Sequence, residues 1–221
     1  YHSNTKKVFA AIKYFLFKSG PLASNGNFAN TFIKTSSMQA TPDMMISFMA
    51  WCTGDDLGEP KPFSAFTVLA EHSRPQSRGF VKLKSPDALK HPAIQFNFFE
   101  TQEDRDAIVA GVKYARKISN TDPLKNYIIE EINPGPTIST DKEIEEYCQK
   151  IGGSLLHCVG TCFMGSEKDS VVDNELRVRG VNNLRVVDAS IMPKIVSGNT
   201  QAATIMIAEK GSDSILRETK N

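Results

Sequence analysis

Apolar positions Val8, Phe9, Ile12, Phe15 and Leu16 recur at helical spacing and stop at Ser19-Gly20-Pro21, which predicts an amphipathic helix ended by a strong breaker. Residues 22–28 are small and polar, the composition of a loop or tight turn. Four short, partly alternating runs follow at 44–51, 66–71, 79–83 and 94–98, each bounded by Pro, Gly, Ser or Asp. Period-2 runs so bounded predict strands of one mostly antiparallel sheet.

Thr101-Gln102-Glu103-Asp104 sets a hydroxyl three residues ahead of a carboxylate, and Ile108, Val112, Ala115 and Ile118 then keep helical period. Thr140-Asp141-Lys142-Glu143 repeats the capping logic for a shorter helix closed by Gly152-Gly153. Between them Asn133-Pro134-Gly135-Pro136 fits no regular element. Further on, residues 184–187 predict a buried strand and residues 200–217 a final helix carrying Ile205, Met206, Ala208 and Ile215. The fold class is therefore α+β: a mostly antiparallel sheet with flanking helices, then a C-terminal strand, loop and helix.

With 221 residues the chain can bury one good core or two small ones. Twenty-six basic residues against 25 acidic ones leave a formal net charge of +1, so no electrostatic case arises for nucleic acid or an anionic membrane. A small ligand fits better. Cys52, Cys148, Cys158 and Cys162 lack the spacing of a structural zinc site, so no metal is expected and reduced thiols are. No apolar run reaches the length of a membrane span and no leader-like core follows the first residues, which favours a cytoplasmic location. The sequence opens on Tyr1 and runs directly into a helical pattern, as a piece of something longer would.

The chemistry concentrates near the C-terminus. An apolar run ends in Asp188-Ala189-Ser190, a proline-containing loop follows, and a helix starts near Asn199, the strand, loop and helix N-terminus order of α/β nucleotide sites. Unpaired N–H groups there favour an anion or an electron-rich carbonyl, although a helix simply capped by Asn199 or Thr200 has the same sequence. His157 lies in Leu156-His157-Cys158-Val159-Gly160, where it reads either as a satisfied core histidine or as a side chain aimed by glycine-permissive backbone. His2, His72 and His91 are weaker candidates. No Gly-x-Ser-x-Gly supports a hydrolase, and no Gly-x-Gly-x-x-Gly or phosphate loop is present. Arg74-Pro75-Gln76-Ser77-Arg78-Gly79, between two predicted strands, reads as a hairpin loop with solvated charge.

Taken together, the stretches from His157 to Cys162, from Val171-Val172-Asp173 to Asp188-Ala189-Ser190, and from Gly198-Asn199-Thr200 to Glu209-Lys210 resemble the C-terminal part of the glucose-methanol-choline family of flavin oxidoreductases. Gly20-Pro21-Leu22-Ala23-Ser24-Asn25-Gly26 and the Arg74 to Gly79 motif resemble upstream signatures of the same family, so the likeness runs from about residue 8 to 217. It implies that residues 1–178 form a substrate-binding domain and that residues 179–221 return to complete an FAD-binding α/β domain. The dinucleotide-binding N-terminal half would belong to the same or another polypeptide.

The resemblance further implies FAD as cofactor and a small alcohol as substrate. His157 would be the base that takes the hydroxyl proton, and Asn199 the second polar residue of the active pair. Asp188 and Ala189 would lie near the FAD pyrophosphate and ribose; Asn199, Thr200 and Gln201 would lie near the flavin. Cys158 stands where proline is common in the family, Phe163 where a basic residue is common, and Gln201-Ala202-Ala203 replaces the frequent Asn-Ala-Pro. A hydroxynitrile-lyase-like member and a non-catalytic, flavin-free binding module are the rival readings.

Overall fold

The computed structural model describes residues 3–52, 61–166 and 168–219. His2 lies outside them. Among the described residues four helices and five strands are arranged as α+β with every strand pair antiparallel, the class expected from the pattern. By internal contacts the chain divides into two compact units, one from residues up to 72 together with 102–152, the other from 73–101 and 153 onward.

In the first unit, helix α1 (Asn4–Phe17) ends one residue before a left-handed Lys18. Strands β1 (Asn27–Ile33), β2 (Met44–Met49) and β3 (Thr67–His72) follow, ordered β1-β2-β3 with β2 central. Met44, Met45, Ile46 and Ser47 of β2 are buried, because both its edges are paired and helix α2 (Gln102–Ser119) covers the sheet. Gly111 makes that approach possible: a Cβ there would sit 3.0 Å from both Ala70 Cβ and Met44 Cε. Helix α3 (Asp141–Ile151) adds Ile144 and Cys148 to the core. Its start is set by the expected capping box: Thr140 Oγ1 accepts from the Glu143 N–H at 3.3 Å, and Glu143 Oε2 accepts from the Thr140 N–H at 2.8 Å.

The second unit holds the two-stranded sheet of β4 (Phe80–Lys82) and β5 (Ala93–Gln95), a bridged segment over 164–185, and helix α4 (Gln201–Thr219). Val172, Leu176, Ile191, Met192 and Ile207 form its core. Gly211 of α4 seats the helix, since a Cβ there would come 2.4 Å from Val187 Cγ1. Cys52, Cys148, Cys158 and Cys162 are thiols, and burial pushes that of Cys148 up to about 11. Among the described residues no helix is long and apolar enough to cross a membrane.

Several local expectations are corrected. The strands form two separate sheets, not one, because alternation specifies a face and not a partner. Residues 27–33, assigned in part to a loop, form β1, an edge strand paired with β2. Residues 184–187 are not a buried strand: they join only the single Arg177–Arg185 bridge, and Leu184 is exposed. The Arg74 to Gly79 segment is not a hairpin loop, because β3 and β4 belong to different sheets. Helix α1 buries Ala10, while Phe15 and Leu16 stand 72% and 69% exposed on its apolar face.

Two measurements on the complete protein follow from these contacts. Gly79→Ala would place a Cβ 1.9 Å from the Gln95 carbonyl oxygen, a backbone atom that cannot step aside. Urea denaturation should show a loss of about 1–3 kcal/mol or more, the usual cost of overpacking. The second concerns His72, whose buried imidazole lies 3.4 Å from Asp104. Desolvation holds it below the ordinary 6.5, outweighing the opposing pull of Asp104, Asp43 and Glu103. The unfolded chain therefore binds the proton more readily, so the stabilisation is full above 6.5 and is lost as pH falls through the lower folded value. Stability should drop as pH falls below 6.5, and His72→Gln should flatten that slope.

Candidate active site

Past Gly152, which caps α3 in an extended conformation, the backbone enters a turn carrying the candidate base. Leu156 has φ +63, a left-handed conformation rare for a bulky residue, with its side chain 89% exposed and its N–H donated to Ser154 Oγ at 2.9 Å. Gly160 at φ +90 completes the reversal. His157 stands between these two positions, half-buried.

The turn is fastened to the 189–191 segment by its own amides. Gly160 N–H and Cys162 N–H both donate to the Ser190 carbonyl, at 3.1 and 3.0 Å, and Met164 N–H donates to the Ile191 carbonyl at 2.7 Å. That segment is a short 3-10 turn capped by Asp188, whose carboxylate accepts from Ser190 N–H at 2.8 Å and Ser190 Oγ at 2.5 Å. Asp188 and Ala189 thus connect to the turn that follows His157 through the Ser190 carbonyl. Ser190 stood in the sequence only as the end of the Asp188-Ala189-Ser190 stretch, where nothing marked its carbonyl as an anchor.

Three expected residues meet directly. Asn199 Nδ2 lies 2.9 Å from His157 Nε2, and Thr200 Oγ1 lies 2.9 Å from His157 Nδ1. An amide nitrogen only donates, so Nε2 is the acceptor and Nδ1 carries the hydrogen, donated to the threonine hydroxyl. Both partners come from the start of α4: Thr200 is buried, and its carbonyl accepts the first helical bonds, from Thr204 N–H at 2.9 Å and Thr204 Oγ1 at 2.9 Å. The Thr200 hydroxyl, expected near a flavin, bonds the imidazole in the structure and so orients it. Gln201 opens the helix with an exposed side chain.

The arrangement can do three things. The basic lone pair of the imidazole points to Asn199, which is exposed, so the nitrogen is reached by displacing one amide contact. When Nε2 gains a proton, Nδ1–H still donates to Thr200, so the ring keeps its place in both charge states. The first amides of α4 have no carbonyl of their own helix to bond, and an electron-rich group can take them.

Comparison with known proteins is consistent across sequence and fold. Residues 75–208 match the family model described as GMC oxidoreductase. The chain is 37% identical to a chloroplastic fatty acid photodecarboxylase of Chlamydomonas reinhardtii, over 93% of its own length and 36% of that protein's. It is also 37% identical to an alcohol dehydrogenase [acceptor] of Pseudomonas putida, over 93% of its own length and 37% of the relative's. A solved formate oxidase of Aspergillus oryzae superposes with a TM-score of 0.86 at 25% identity, covering 99% of this chain and 43% of that one. The chain spans somewhat over a third of the length of these curated relatives.

Thr200→Val keeps the shape of the side chain and removes the hydroxyl that His157 Nδ1–H uses. Nitrogen NMR of the imidazole in the complete protein should then move from a single Nδ1–H tautomer toward a mixture. An unchanged spectrum would show that Thr200 does not set the tautomer.

Proposed function

The chain belongs to the GMC oxidoreductase family, and on that premise we infer that it supplies the base, and part of the cofactor wall, of an FAD-dependent enzyme oxidising an alcohol. The observation that carries this reading is the contact of Asn199 Nδ2 with His157 Nε2. It puts a proton acceptor and a hydrogen-bond donor at one point, as an alcohol oxygen losing its proton requires. In this proposal residues 1–178 serve the substrate and residues 179–221 complete the FAD-binding part, with the remainder supplied by the N-terminal half.

The residues present fit a flavin nucleotide. Ala189 brings little side-chain bulk, Gly198 at φ +131 has open space where a Cβ would point, and Asn199 and Gln201 are exposed at the α4 N-terminus. When bound, FAD supplies the acceptor for the electron pair leaving the alcohol carbon. The chain's own residues do the rest. An incoming hydroxyl displaces the Asn199 amide from Nε2, donates its hydrogen to that nitrogen, and receives the amide's hydrogen bond on its oxygen. Proton and donor thus exchange across one position, and the oxygen's growing negative charge is met by a dipole already in place. The Thr200 contact holds the ring while its charge changes.

The alcohol dehydrogenase relative supports the substrate class, whereas the photodecarboxylase relative makes light-driven loss of a carboxylate the reading to test against. The complete enzyme should be mixed anaerobically and in the dark with a panel of primary alcohols, choline and benzyl alcohol included, while flavin absorbance is followed. Bleaching in the dark is expected; it separates alcohol oxidation from light-driven decarboxylation and from lyase chemistry without net redox change. His157→Ala should slow that bleaching by about 10²-fold or more, the scale of losing a general base. A variant that bleaches at the parent rate would overturn the assignment of His157.

A further inference from the structure

The Arg74 to Gly79 motif reaches the loop that carries Asn199. Arg74, half-buried, donates from Nε to Ser197 Oγ at 2.7 Å across 123 positions of sequence. A guanidinium donor makes this a charge-assisted bond, stronger and more directional than a neutral one. Ser197 lies two residues before Asn199.

The loop at 196–199 has little of its own to fix it. Gly198 sits at φ +131 with nothing within 4 Å of where a Cβ would point, and its N–H donates to the Val196 carbonyl at 2.8 Å. Glycine leaves the direction of the next residue poorly determined by local backbone preference. The motif opposite is the reverse, a segment tied from several sides. Gln76 Nε2 donates to the Arg74 carbonyl at 2.9 Å, and Arg78 Nη1 donates to the Pro75 and Ser77 carbonyls, each at 2.9 Å. Ser77 Oγ accepts from Thr101 N–H at 3.2 Å, and Asn97 Nδ2 donates to the Arg78 carbonyl at 2.9 Å. Gly79 lies so close to the Gln95 and Phe96 backbone that no Cβ fits. Arg74 therefore joins a rigid support to a pliable loop.

We propose that Arg74 is a positioning residue: through Ser197 it fixes the 196–199 loop and so sets the Asn199 amide on His157 Nε2. The consequence for chemistry rests on the reading of His157 and Asn199 as the active pair. The pin itself does not.

Two measurements on the complete enzyme separate them. Hydrogen exchange over peptides spanning 194–204 tests the pin without reference to activity. Arg74→Met and Ser197→Ala should each raise exchange at the Gly198 amide about tenfold, and Ser197→Thr, which keeps the hydroxyl, should restore it. Unchanged exchange in both variants overturns the pin. Flavin reduction in the dark, by whichever alcohol of the panel above reduces the parent enzyme, tests the consequence. Each single variant should lower the limiting rate on the order of ten- to a hundredfold, with flavin content and visible spectrum retained. The double variant should be no slower than either single, since both break one bond. In an Asn199→Ala background Arg74→Met should cost nothing further. Multiplying losses, or an added loss without Asn199, overturn the positioning role. If exchange rises as expected while His157→Ala reduces flavin at the parent rate, the pin stands and the active-pair reading fails.

Discussion

Everything at the candidate site depends on a single imidazole held at both nitrogens by consecutive residues of one helix start. Thr200 and Asn199 can both reach His157 because the chain turns sharply into α4 at that point, one residue buried and the next exposed. The helix is in turn seated by Gly211 against Val187 and by Ile207 in the core of its unit. Shifting α4 by a fraction of an ångström would alter two hydrogen bonds together. The His157 turn is secured independently through the Ser190 and Ile191 carbonyls, so base and partners meet as two braced pieces.

Legibility in the sequence tracked the range of the interaction. The α3 capping box is a contact across three residues, and Thr140 with Glu143 announced it directly. The end of α1 at Ser19-Gly20-Pro21 was equally local. Strand β1 escaped notice because only Ile33 of its seven residues is buried, so its strand character comes from pairing with β2 and not from a pattern of its own. The division into two sheets was hidden for a related reason, since three-residue strands such as β4 and β5 carry no address for their partner. At the site, His157 and Asn199 were marked by family resemblance, whereas the Thr200 hydroxyl on Nδ1 is a contact across 43 positions that no local motif encodes.

Val8, Phe9, Ile12, Phe15 and Leu16 are exposed along α1, and Ile205, Met206 and Leu216 along α4. Rows of exposed large side chains on helices are typical of surfaces that bind a protein, a membrane or a ligand. The chain spans little more than a third of the length of these relatives.

Sequence separation at the site bears on the order in which the molecule is made. The imidazole meets its partners across 42 and 43 positions, and the Arg74 contact closes 123. Closing the longer loop costs only about 1 kcal/mol more than the shorter ones, because the entropy grows with the logarithm of length. Contacts of long range nonetheless form late, after helices and hairpins have organised nearby segments. During synthesis the imidazole would emerge well before α4 and remain a freely rotating, ordinary surface group. The contacts of His157 with Asn199 and Thr200 can form only once the start of α4 has been made, so a chain still short of that helix carries the histidine without its partners.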